Sequence, residues 1–174
     1  MTNVLVFFLV NLVGGIAVLG SYVVGLYIYP AVRKAWGGGV AGSWKSLFTV
    51  SMVFAAAGYL IFCYSMTISG AADKSSFLGG HTFSILAAFF LFSASIWMPA
   101  TLKYLATDDN LWWILSVISL WITAASLCLL TVSFGLSNYD GIGTLQFSLT
   151  LVGIIWITFH CLVFDAIIWV TKFH

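Results

Sequence analysis

Five stretches of this chain run for about twenty residues or more with almost no charge inside them, and few folds tolerate that pattern. They are residues 4–29, 45–69, 82–105, 111–135 and 145–170. In lipid, every backbone N–H and C=O must be satisfied within its own segment or a closed barrel, so runs of this length become helices. Composition agrees: 62% of residues are hydrophobic, 6% are charged, glutamate is absent, and the mean hydropathy is +1.11. A soluble domain carries about 25% charged residues. These values exclude a soluble enzyme, a disordered tail and a nucleic-acid binder, since six Lys/Arg against five Asp give no basic surface for phosphates. The first run lacks a basic leader and is too long for a signal-peptide core, so it reads as a span.

The breaks between runs carry turn chemistry. Gly37, Gly38, Gly39 and Gly42 separate the first pair, and Gly70, Gly79 and Gly80 the second. Asp108, Asp109 and Asn110 offer capping oxygens to the fourth helix, and Asn138 to Gly141 precede the fifth. Short connections predict antiparallel sequential neighbours in one bundle, a single domain over residues 1–174. With five spans, Arg33, Lys34, Lys45, Lys103 and Lys172 fall on one side and Lys74 on the other. The positive-inside rule then puts the N-terminus outside and the C-terminus in the cytoplasm. The expectation is an all-α, five-span integral membrane protein; a bacterial cell membrane and a mitochondrial one are not distinguished.

Chemistry-bearing groups are sparse. Cys63, Cys128 and Cys161 lie in apolar runs and read as free thiols. No hydrolase, zinc-protease or phosphate-loop motif is present, no Cys/His cluster suggests a metal, and no acid–base pair supports an enzyme. Ionisable groups inside a span are the default functional candidates. His160 lies near mid-span on the fifth helix and Asp165 about one turn from its end. At 100° per residue they point about 140° apart, which predicts two separate groups. Asp165 matches Lys103 in depth, so an interhelical ion pair or a carboxylate snorkelling to water is expected; His160 reads first as a hydrogen-bonded core residue, with haem ligation as the alternative. Ala17, Ser21 and Gly25 form a small-residue stripe suited to close helix packing.

Aromatics at span ends, Trp36, Trp44, Trp112, Trp113 and Trp169, fit interfacial belts. Trp97 and Trp156 are too deep for that. Trp44 and Phe48 share a face at the start of the second helix. Tryptophans on several helices suit either ordinary packing or a pocket for a flat apolar ligand.

Residues 29–36 (YPAVRKAW) resemble the first-loop motif W-Y-x-x-L-x-K-P-x-W of the tryptophan-rich sensory protein or translocator protein (TspO) family, with Trp36 one residue early. Residues 44–48 (WKSLF) are similar to the W-x-[ST]-L-[YF] that opens that family's second helix. Residues 97–99 (WMP) resemble its W-[ST]-P segment, Asn110-Leu111 follows at the spacing of its Ala-Leu, and residues 155–159 (IWITF) resemble its tryptophan-centred segment on helix five. The pieces arrive in order. The chain departs from the pattern in lacking the loop prolines, in a shorter glycine-rich loop, and in Ala94, where the family has an asparagine. Residues 24–33 fit a loose sterol-contact pattern.

The resemblance implies a five-helix membrane protein that binds or transports porphyrin, haem or a sterol-like planar ligand in a cavity among its helices. Trp36 would belong to a lid; Trp44, Phe48, Trp97, Trp156 and Phe159 would line the cavity. Affinity would come from burial at roughly 25 cal/mol per Å². No cofactor is required beyond such a ligand. Two other classes fit the residues: a structural accessory subunit of a larger membrane complex, and a small proton or ion conductor using Asp165 and His160. A homodimer is compatible with the small-residue stripe.

Overall fold

The computed structural model describes residues 2–32, 34–35, 37–38, 40, 42–74, 81–137, 139 and 142–173. Among these residues the chain is all-helical. Five helices are long and apolar enough to cross a membrane: Asn3–Ile28, Ser43–Thr67, Thr82–Thr107, Asn110–Leu136 and Thr144–Lys172. Each bound lies within two residues of expectation, because hydropathy and turn residues both mark it. The protein is a multi-pass integral membrane protein.

The caps follow from local chemistry. Thr2 accepts the Leu5 N–H at 3.3 Å and starts the first span. Asp108 ends the third span in the left-handed region, at φ 53°, which a short polar side chain tolerates. Asp109 then accepts the Leu111 N–H at 3.0 Å and opens the fourth span, as its position predicts. A short helix, Ala71–Lys74, follows the second span, and its Asp73 accepts the Val4 N–H at 3.3 Å.

The order around the bundle is first, second, fifth, fourth, third. The expectation of sequential neighbours holds for the first and second spans and for the third, fourth and fifth, and fails between the second and the third. The first span packs chiefly on the third, and the second on the fifth. Connector length is the physical reason. Residues 108–109 and 137–143 are too short to let their helices part, whereas residues 29–42 and 68–81 leave partner choice to side-chain fit.

Glycine makes that choice for the second and fifth spans. A Cβ on Gly58 would lie 2.5 Å from the carbonyl oxygen of Gly153, and one on Gly153 2.7 Å from that of Gly58. Two backbones touch there, as small residues permit in lipid. Hydroxyl pairs then clip neighbouring spans together: Ser65 to Thr150 at 2.6 Å, Ser93 to Thr123 at 2.8 Å, Thr101 to Ser116 at 2.7 Å and Thr131 to Thr158 at 2.7 Å. Such bonds average about 0.6 kcal/mol in a membrane.

Two aromatic clusters fill the interior. Towards the end that holds the N-terminus, the fully buried Phe62 meets Phe7 at 5.8 Å, Phe134 at 5.6 Å and Phe83 at 6.4 Å between ring centroids. Towards the other end Trp169 meets Trp97 at 5.4 Å, Trp113 at 5.7 Å and Phe173 at 4.7 Å. Trp169 is therefore a core residue and not the interfacial anchor its position suggests. Gly38, at φ 55°, presses on Phe173, where a Cβ would come within 2.6 Å of the ring. That part of the first loop is a packed turn.

Candidate functional site

The fifth span changes its helical form midway. Residues Thr144–Phe159 are α-helical, and His160–Trp169 form a π-helix, whose hydrogen bonds run from residue i to i+5. That change overturns the angular expectation for His160 and Asp165. Five residues make close to one full π turn, so both side chains return to one face. His160 Nε2 lies 3.6 Å from Asp165 Oδ1, beyond direct hydrogen-bond distance but within ion-pair range. The other ring nitrogen, Nδ1, is 2.9 Å from the Ser51 hydroxyl on the second span.

His160 is held through Nδ1 as a hydrogen-bonded interior residue, the reading favoured for it, and Nε2 faces the Asp165 carboxylate at ion-pair distance. Among the described residues no three His, Cys or acidic groups converge as a metal site. Asp165 pairs with His160, while the Lys103 ammonium sits 3.8 Å over the ring of Trp112. The expected ion pair between Lys103 and Asp165 gives way to these contacts. The cause is again the π-helix, which turns the carboxylate onto the His160 face. Cys161 faces the same carboxylate, and Tyr22 of the first span is close enough to sense its charge.

Beside this pair runs a groove of about 680 Å³ between the second and fifth spans. Its floor is the Gly58–Gly153 contact and the buried Ser51 and Phe164. Its walls are Phe54, Trp156 and Phe159, each more than 40% exposed, so the groove opens sideways on the outer surface of the bundle. No charged residue lines it. The Trp156 indole N–H donates to the Ser51 carbonyl oxygen at 3.2 Å, which fixes the ring edge-on against the second span. Phe54 and Phe159 stand 6.3 and 6.0 Å from that ring.

The aromatic residues assigned to one cavity are divided by the structure. Trp156 and Phe159 line the groove. Phe48 meets Phe164 edge-to-face at 4.9 Å, behind the groove floor. Trp97 belongs to the interior tryptophan cluster and contacts Tyr22 at 5.9 Å and Trp169 at 5.4 Å. Trp44 is half-exposed at the bundle end, with Lys172 5.1 Å over its ring. Trp36 lies outside the described residues. Sequence reasoning missed Ser51, Phe54 and Phe164; the available signal was a mid-span glycine in each of two helices, at Gly58 and Gly153.

A second groove of about 590 Å³ follows the stripe of Ala17, Ser21 and Gly25 between the first and third spans. Gly25 is packed against Leu102, as the stripe predicts. Comparison with protein-family models, curated proteins and solved structures finds no match.

Proposed function

We propose that this protein takes a flat, uncharged, sterol-like molecule from the bilayer and holds it in the lateral groove between its second and fifth spans. One observation carries the reading: the groove combines a backbone-level floor at Gly58 and Gly153 with three exposed aromatic walls and no charge. Its volume falls within the range of about 300–1,000 Å³ typical of small-molecule sites. A porphyrin or haem, the other ligand class implied by the TspO resemblance, fits less well. Its carboxylates have no cation among the groove residues.

The source of affinity differs from burial out of water. A ligand that arrives from lipid gains little hydrophobic free energy, so binding rests on stacking and close fit. Each aromatic contact is worth about 0.5–1.5 kcal/mol beyond area. Micromolar affinity therefore needs several rings acting together. Substrate chemistry has no support here, since no acid–base constellation faces the groove.

An accessory-subunit role has its own support. Of the 26 residues in the first span only Phe7 and Gly25 are buried, which leaves an apolar face available to a partner helix. A conducting role has less. The hydroxyl pairs join neighbouring spans, and no Asp, His, Lys or Arg lies among the buried Ser116, Ser119, Thr123, Ser126 and Ser133 of the fourth span.

Titration of the detergent-purified protein with a fluorescent sterol, in parallel with protoporphyrin IX, tests the proposal. Saturable sterol binding, weakened about tenfold by Phe159→Ala and competed poorly by the porphyrin, is expected. Unsaturable partitioning that Phe159→Ala does not alter sinks the reading and returns the first-span face to attention.

A further inference from the structure

The groove and the histidine–aspartate pair share two residues. Ser51 holds both: its carbonyl oxygen accepts from Trp156 on the groove wall, and its hydroxyl bonds His160. Phe164, on the groove floor, stacks on the His160 ring at 5.5 Å with 22° between planes. Among the described residues no other ion pair sits inside a span. Neither an exposed surface nor a belt explains it.

Electrostatics limits what such a pair can do. Net charge is expensive at bilayer depth, and a histidine and an aspartate that share one proton carry none. Loss of that proton leaves a lone carboxylate; a second proton leaves a lone imidazolium. The carboxylate side chain is 23% exposed and the imidazole 7%, so Asp165 is the less enclosed member of the pair. The titratable groups facing the pair are the Tyr22 phenol from the first span and the Cys161 thiol on the same helix, while the second span contributes the Ser51 hydroxyl.

We propose that His160 and Asp165 form a single proton-binding site inside the bundle, created by the π-helix, whose occupancy is linked to ligand binding in the groove through Ser51 and Phe164. The proton comes from bulk water and returns to it; no other bond forms or breaks. Movement of the imidazole towards or away from Asp165 shifts the ring on which Phe164 stacks and the hydroxyl that Ser51 presents, and so alters the groove floor. By reciprocity, a ligand that favours one protonation state shifts the proton affinity by the same factor. The linkage half rests on the groove reading; the proton site does not.

The two halves are tested separately on the full chain in phosphatidylcholine vesicles. Infrared difference spectra recorded across a pH titration should contain a carboxyl band that Asp165→Asn removes, while Ser51→Ala keeps the band but moves its midpoint by freeing Nδ1. A spectrum in which Asp165→Asn removes nothing, or Ser51→Ala shifts nothing, overturns the site. Affinity for the fluorescent sterol should then change at least threefold across the same pH interval, and Asp165→Asn should flatten that change. Sterol affinity that ignores pH overturns the linkage. Absence of sterol binding at any pH overturns both the linkage and the groove reading, while the infrared spectra still decide the proton site.

Discussion

The two ends of the bundle are built on different principles. Around Phe62, rings from four spans close on one another and exclude everything else. No Asp, His, Lys or Arg side chain enters that cluster, and the segments that carry Phe7, Phe62, Phe83 and Phe134 are plain α-helix. Nearer the other end the fifth span turns π-helical, an ionisable pair sits behind the helix wall, and a groove stays open beside it. The first region is filled to fix the fold. The second leaves space and polarity that packing alone does not call for, and π turns of this kind cluster at functional sites. The difference teaches that aromatic content alone does not mark a binding site: Phe62 and Trp156 are both aromatic, but one is fully buried and the other 41% exposed on a groove wall.

Substitutions should separate the two regions. The largest expected effect is at their junction. Gly58→Leu forces the second and fifth spans apart at a backbone contact and should cost about 3 kcal/mol, read as loss of folded protein in detergent-dependent unfolding. It should also abolish sterol binding, since the floor is gone. Phe62→Ala comes next. Because lipid is as apolar as the core, the loss is mainly the cavity term, about 2 kcal/mol, and ligand affinity should stay within twofold. Phe159→Ala reverses that pattern, with about a tenfold loss of sterol affinity and little change in stability, because its ring is 43% exposed. The smallest effect belongs to the clips: Thr158→Val removes the bond to Thr131 and should cost about 0.6 kcal/mol with no change in binding.

The sequence makes the spans, the Asp109 cap and the free thiols legible, because hydropathy, capping oxygens and apolar context are local signals. Partner choice is not local. Which span touches which depends on where small residues fall on two helices at once, and the pairing of Gly58 with Gly153 is visible only when both are in place. The π-helix is harder still. Residues 160–169 contain no glycine or proline to announce it, so a spacing of 100° per residue parts His160 from Asp165 when they in fact share a face. Trp169 misleads for the opposite reason: its place near a span end suggests a belt, but its ring is buried against Trp97, Trp113 and Phe173.

A paired measurement on Phe62→Ala and Phe159→Ala tests the central claim most directly, with thermal stability and fluorescent-sterol affinity determined on the same preparations. A crossed result is predicted: Phe62→Ala lowers the Tm and keeps the Kd, and Phe159→Ala keeps the Tm and raises the Kd about tenfold. Parallel changes in both variants, or a Kd that neither variant alters, would contradict a division between a packed end and a binding groove.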